Sequence, residues 1–424
     1  MAGPSFSRLL RAIAPMAALT AACRVAEPGR LAPQQVCTHS PCVLDSIAGL
    51  LDSALAAGAA PGGVLAVSWE GKRYIYGAGR LALDDPRRPD GHTIYDLASL
   101  TKVVVTTTLT MLAVSEGRID LDDPAVRYLP GFGGPGKERV TVRHLLTHSS
   151  GLRADRPLWR QAPDRDSAIR LVNQTPLDTA PGMRTVYSDL GAIVLGELIQ
   201  RVYRSRLDRL ARTRILDPLG MVSTGFRPPE RLHYRVAATE YDTAWRKRIV
   251  RGEVHDEKAA WLGGVAGHAG LFGSAVDLLA FGEWMISAGR ADRAANRPIQ
   301  ESAELRAADP ARTTGPAVHP SVVGKFTRRQ NLVPGSSRAL GWDTPAPGSS
   351  AGNRLSGSSF GHTGFTGTSI WIDPAKGLVI VLLTNRVHPT RNNPNLGPLR
   401  VAVSNRVVEL LGAAAPGISG RALR

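Results

Sequence analysis

No apolar run in this chain of 424 residues reaches the roughly 18 residues that a membrane-spanning helix needs. No block of five or six like charges appears either, which excludes a basic arm of the kind that binds nucleic acid. Cysteine is scarce: the three residues, Cys23, Cys37 and Cys42, all lie near the N-terminus. Their spacing does not suit a metal site, and no histidine cluster lies beside them. Acids are outnumbered, 36 against 52 lysines and arginines, for a net charge of +16. The excess is mostly scattered arginine. It biases encounters toward anionic surfaces, such as phospholipid or cell-wall polymer, without naming a function. Hydrophobic residues at 43% and charged residues at 21% are ordinary for a soluble globular protein.

Residues 1–22 are read as a secretory leader. Arg8 and Arg11 form a positive region without an acid, and a short alanine-rich apolar stretch runs from Ala12 to Ala22. Removing it takes two arginines and leaves about +14. Two readings of the junction at Cys23 stand side by side. Cys23, after small residues, resembles a lipoprotein processing site where the new N-terminus is acylated and anchors the chain to a membrane; the other reading is ordinary cleavage. Thr20 stands where leucine is usual, and Leu19 is one place too early. Residues 23–43 read as a tether, in which Cys37 and Cys42 either close a small disulfide loop in an oxidising compartment or remain free thiols. The expected location is export, to the periplasm or as a membrane-anchored lipoprotein.

Asp45 to Leu55 has helical spacing, with Ile47, Leu50, Leu51 and Leu55 on one face. Gly63 to Trp69 and Arg73 to Tyr76, joined by Glu70-Gly71-Lys72, read as a hairpin. From Ser99 to about Arg290 the pattern is mostly helical: Ser99 to Glu116 ended by Gly117, a helix capped by Thr141, another over Ser188 to Arg204, and a fourth over Asp277 to Ala288. Strand signals return at Gly341-Trp342-Asp343, at the alternating Thr368 to Ile372 and in the apolar run Leu378 to Leu383; Leu399 to Leu411 closes as a helix. The fold expected is α/β (α+β): an antiparallel sheet flanked by helices, with an inserted all-helical domain. Its sheet part takes residues 44–98 and 330–412, its helical part 99–329, and 413–424 is a tail. The stretch from Ala291 to Arg338 carries little signal.

Ser99 and Lys102 are three apart, which on a helix puts an ammonium beside a hydroxyl. A serine is a weak nucleophile until a base or a favourable field activates it. At the start of a helix its N–H also faces an incoming acyl oxygen. Ser-x-x-Lys alone is weak evidence, since chance supplies several in a chain this long. Two more elements come after it in order. Tyr187-Ser188-Asp189 offers a phenol as proton shuttle and a polar side chain two residues on. His362-Thr363-Gly364, before a strand, has glycines on either side that let backbone approach a ligand.

With those three elements the sequence resembles the serine penicillin-recognising enzymes, which carry Ser-x-x-Lys, a middle polar triad and Lys-Thr-Gly in that order. The branch it looks like is related to class C β-lactamases and extends over about residues 45 to 412. Supporting stretches are His144 to Leu152, Gly267 to Phe272 and Gly361 to Thr368. The resemblance implies a β-lactamase/transpeptidase-like fold. It implies Ser99 as acylated nucleophile, Lys102 as its activator, Tyr187 as proton relay, and an oxyanion hole made by the N–H groups of Ser99 and Phe365. Asp189, in the place of the triad's last residue, and His362, Thr363 and Gly364 are implied as the substrate-binding residues.

Two positions depart from the family. Asp189 stands where an asparagine is usual and is expected to pair with Lys102. His362 stands where lysine is usual and titrates near neutrality, which weakens its hold on a substrate carboxylate and the case for efficient β-lactam hydrolysis. Tyr-Ser-Asp and His-Thr-Gly look instead like the esterase and peptidase-like members, and Gly252-Glu253-Val254-His255-Asp256 resembles a loop in members that trim cell-wall peptides. The serine mechanism needs no metal or other cofactor, although His255, Asp256 and His268 invite the thought of one. The expected activity is an exported serine hydrolase acting through an acyl-enzyme on a small-molecule or cell-wall peptide substrate: an ester, a D-amino-acid peptide, a muramyl amide or a β-lactam. The alternative is a penicillin- or muropeptide-binding module with little turnover, against which the intact Ser99, Lys102 and Tyr187 argue.

Overall fold

Helix α1, Asp45–Ala56, buries Ile47 and Leu51, as its spacing predicts. The hairpin also forms: β1, Gly62–Trp69, and β2, Lys72–Gly79, pair antiparallel with Leu65 opposite Tyr76. The structure is a computed structural model that describes residues 44–290 and 315–414. The leader, the tether, Cys23, Cys37 and Cys42 lie outside the described residues.

Helical residues then dominate. A π-helical stretch, Lys102–Thr107, runs into α2, Thr108–Ser115. Later come α3, Asp189–Tyr203, and α4, Ala275–Arg290. The chain returns to the sheet as β3, Phe360–Thr363, β4, Ser369–Asp373, and β5, Leu378–Thr384, and closes with α5, Gly397–Ala414. The sheet order is β2-β1-β5-β4-β3, antiparallel throughout. This is the predicted mixed fold, an antiparallel sheet flanked by helices.

Burial explains the long apolar run in β5. Leu378, Ile380 and Leu382 face α1 and α5, where they meet Ile47, Leu51, Val403 and Val407. Val379, Val381 and Leu383 face the other way, among Leu278, Phe281 and Trp284 of α4. A strand covered on both faces has no polar side to alternate with. For the same reason β4, expected to alternate, is buried along its whole length. Helix α4, placed by sequence in the helical part, packs directly on the sheet: a Cβ added at Gly282 would come within 2.5 Å of Val379.

Three local expectations need correction. Ser99 to Glu116 is not one α-helix. Its first turns are π-helical, and the Thr108 hydroxyl donates to the carbonyl five residues back, Val103, at 2.9 Å. Gly341-Trp342-Asp343 is not a strand: Gly341 has a φ of +80°, and only Asp343 bridges to Gly361. His362, placed ahead of the strand that forms as β4, itself lies within a strand, β3, that was not expected.

Candidate active site

Ser99 stands in the turn just ahead of the π-helical stretch. Ala98, before it, has a φ of +46°, a conformation an alanine adopts only under constraint. The constraint is visible. Asp96, buried, accepts from the Ala98 N–H at 2.8 Å through one oxygen and from the His255 N–H at 2.7 Å through the other. The Thr101 hydroxyl donates to the Ala98 carbonyl at 2.6 Å.

Lys102 Nζ donates to Ser99 Oγ at 2.9 Å and to the His268 carbonyl at 3.0 Å, and pairs with Asp189 at 2.8 Å. Burial works against its charge, but Asp189 and Tyr187 outweigh it and lift its pKa above the usual lysine value. The environment therefore favours its charged form. Gly267 makes the His268 contact possible. A Cβ there would fall 2.1 Å from the Ala192 carbonyl of α3, so only glycine lets that loop press against the helix.

Tyr187 has Lys102 Nζ 4.9 Å from its ring centroid. It is pinned from both sides in the chain. The Val186 N–H donates to the His148 carbonyl at 2.8 Å, and the Ser188 N–H to His148 Nδ1 at 3.1 Å. The rings of His148 and Tyr187 lie 4.6 Å apart. Ser188 caps α3 by accepting from the Gly191 N–H at 3.1 Å. Asp189, in the first turn of α3, faces Lys102.

Asp189 is engaged on both oxygens. Besides Lys102, it meets Lys258 Nζ at 3.3 Å; Lys258 also meets Asp155 and Asp256 at 3.1 Å each. His268 Nε2 donates to Asp256 at 2.9 Å. Burial pushes the Asp189 carboxyl up, but Lys102, His268 and Lys258 together hold it well below the ordinary range. Ligating atoms of Asp189, Asp256 and His268 lie within 4.8 Å of one another, a metal-like spacing. The Lys258 ammonium already sits among these carboxylates, so the cluster carries its own cation. His255 takes no part, because its Nε2 pairs with Glu240 at 2.9 Å. Lys258 went unnoticed in the sequence, although it lies two residues beyond the Gly252 to Asp256 loop.

The opposite wall is β3 and the turn after it. The N–H groups of Ser99 and Phe365 donate to no protein acceptor among the described residues, and both residues line one cleft of about 550 Å³. Thr366 and Thr368 hydroxyls donate to the carbonyls of Asp96 and Leu97 at 2.7 and 3.1 Å, tying the two backbone segments together. Arg400 Nη2 donates to the Gly364 carbonyl at 2.9 Å. In a trans peptide that turns the Phe365 N–H the other way. Gly364 has no room for a side chain, since a Cβ would lie 2.1 Å from Thr368 Oγ1 and 2.6 Å from the Leu97 carbonyl. Neither these threonines nor Arg400 was singled out from sequence.

His362 lines the cleft with Thr363, as expected, but not as a group that titrates near neutrality. It is buried, Nδ1 donates to the Thr363 carbonyl at 2.8 Å, and Nε2 has no partner among the described residues. Burial, then the charges of Arg338 and Lys102, lower its pKa to about 3. The imidazole is neutral at any physiological pH, so the position that resembles the family's lysine carries no charge. Asp189, expected beside the substrate, sits behind Lys102 and does not line the cleft. Thr363 and Gly364 do line it.

Serine, ammonium, phenol and two unengaged N–H groups thus meet at one cleft, and comparison with known proteins points the same way. The family model for β-lactamases matches residues 47–404. The chain belongs to the β-lactamase family. A Salmonella typhi protein provisionally named a D-alanyl-D-alanine carboxypeptidase is 31% identical over 354 residues, 76% of each chain. A mutant class C β-lactamase superposes with a TM-score of 0.66 at 20% identity, covering 88% of this chain and 99% of its own. EstCE1, described as a hydrolase with promiscuous acyltransferase activity, gives 0.64 at 20%, covering 86% and 98%. These likenesses show the fold to be β-lactamase/transpeptidase-like. The protein is a serine hydrolase of this family.

Proposed function

We propose that this protein hydrolyses a short peptide or ester through an acyl-enzyme on Ser99, with a peptide ending in a D-amino acid as its best substrate. The observation that carries the chemistry is the 2.9 Å hydrogen bond from a charge-compensated Lys102 to Ser99 Oγ. Since Lys102 already donates to that oxygen, the hydroxyl proton is directed elsewhere, and Tyr187 is the group at hand. Ser99 Oγ attacks the carbonyl carbon. As its proton passes to the Tyr187 oxygen, Tyr187 gives its own to the leaving nitrogen or oxygen, and that bond breaks. The N–H groups of Ser99 and Phe365 hold the oxyanion meanwhile. Water then adds to the acyl carbon, giving a proton to the Tyr187 oxygen as Tyr187 gives its own to Ser99 Oγ; the bond from Oγ to the acyl carbon breaks and the carboxylic acid leaves.

The substrate class is supported by the relative's name and by the cationic lining of the cleft. Export through residues 1–22, with Cys23 as the anchor, belongs to the same proposal and rests on the sequence. A fluorophosphonate probe should label Ser99, and a panel of peptide, ester, muramyl amide and β-lactam should show fastest turnover on the D-amino-acid peptide. Labelling without turnover of any of the four would favour a binding protein. A mature N-terminus other than an acylated Cys23 would remove the anchor from the proposal.

A further inference from the structure

With His362 neutral, the cleft needs another cation if its substrate is an anion, and three guanidinium groups line it: Arg338, Arg386 and Arg400. They are not equivalent. Arg386 donates to the carbonyls of Phe365 at 2.8 Å and Asn393 at 2.7 Å. Arg400 Nη2 is committed to the carbonyls of Gly364 and Thr368, both at 2.9 Å. Each therefore holds the backbone around the oxyanion-hole residue.

The Arg338 guanidinium has no such commitment: it donates to no protein acceptor and pairs with no carboxylate among the described residues. The nearest acid in sequence that lines the same cleft, Asp343, instead accepts the Ser337 hydroxyl at 2.5 Å. The Arg338 guanidinium carbon lies 5.3 Å from the Tyr187 ring centroid, and that ring lies 5.9 Å from His362. Its backbone bridges to Asp343, which exchanges two hydrogen bonds of 2.9 Å with Gly361 of β3. The side chain thus arises from a segment laced to the edge of β3 next to His362. Arg338 is half-buried, so its charge is hydrated while the cleft is open and loses water only as a ligand fills it.

We propose that Arg338, from outside the three motifs, holds the carboxylate that a substrate bears beside its scissile bond, replacing residue 362 in that task. A guanidinium suits it: a planar fork matches both oxygens of a carboxylate and stays charged at every working pH. Arg338 is then a specificity-determining residue, and the substrate is selected as an anion.

This inference rests on the acyl-enzyme reading, and one experiment separates the two. The measured quantity is kcat/KM for an acylated dipeptide ending in D-alanine divided by that for its C-terminal amide. Wild type, Arg338→Met and Arg400→Met are compared, with fluorophosphonate labelling of each sample reporting an intact site. The expected result is a wild-type preference for the acid that falls roughly tenfold or more in Arg338→Met, and less in Arg400→Met. An Arg338→Lys variant, which keeps the charge but loses the fork, should keep only part of the preference. A labelled Arg338→Met with an unchanged ratio overturns the proposal, as does a ratio that collapses only in Arg400→Met. Absence of labelling in wild type would instead sink the acyl-enzyme reading. If Arg338→Met does not label, Arg338→Gln, closer in size, carries the same comparison.

Discussion

The two walls of the cleft handle positive charge in opposite ways. On the helical side Lys102 and Lys258 are buried and share Asp189, with Asp256 and Asp155 completing the set. On the sheet side Arg338, Arg386 and Arg400 have no carboxylate partner among the described residues; burial alone lowers Arg386, and burial foremost brings Arg400 down to about 10. A buried cation without an anion is costly, and a hydrogen-bonded carboxylate offsets part of that cost. The paired side is thus built to keep fixed charges next to the nucleophile. The unpaired side has charge left over for carbonyl groups and for an incoming anion.

Breaking the paired side at its centre should have the largest effect. Ser99→Ala should abolish acylation, and Lys102→Met should lower kcat by a factor of about 10³ or more. The double variant should be no worse, because the residues act as one unit. Steady-state rates on one ester would show it, and additive losses would contradict a shared task.

A smaller but more telling loss is expected at Lys258, which touches neither Ser99 nor the cleft. Lys258→Met leaves Asp189 and Asp256 with excess negative charge and should cost roughly tenfold to a hundredfold in kcat/KM. Asp189→Asn, combined with it, should recover part of the loss by restoring neutrality, giving a non-additive cycle. If the double variant equals the product of the singles, Lys258 does not act through Asp189.

On the unpaired side, Arg400→Met should lower kcat about tenfold while KM moves little, because the Gly364 carbonyl it holds belongs to the same peptide as the Phe365 N–H. A change confined to KM would make Arg400 a substrate contact instead.

The smallest effect is on stability. His362 is held neutral with a pKa near 3, and His148 is lowered well below its usual value by burial foremost. In the unfolded chain both take up a proton near the ordinary value of about 6.5. The unfolded state therefore binds more protons below that pH, and stability falls on acidification below about 6.5, for His362 down to its folded value of about 3. Denaturant midpoints of His362→Gln against wild type should diverge at pH 5 more than at pH 8. The same neutrality predicts no loss of affinity for carboxylate substrates as pH rises from 6 to 8.

Ser99, Lys102 and Tyr187 were legible in the sequence because the chemistry demands those residue types in that order. Most strands and helices were legible from periodicity, down to the cap Thr141, whereas the cap role of Ser188 was not. What stayed hidden depends on long-range placement. Lys258 lies 69 residues from Asp189, and Arg338 comes from a segment without a motif. No local pattern announces that either will meet the site. His362 was misread for the same reason: its sequence neighbours are small and polar, while its burial comes from β4 and from the Tyr187 side of the cleft. The π-helical turn was missed because Lys102 to Thr107 is buried on every side, so the run has no apolar period that could tell one helix from the other.

The covalent intermediate is the most direct test of Ser99 as the nucleophile. Quenching the enzyme during turnover of a slow ester, then measuring intact mass and mapping the adduct, should show one acyl group on Ser99, absent from Ser99→Ala. Turnover at full rate with no adduct, or an adduct on any other residue, would contradict it.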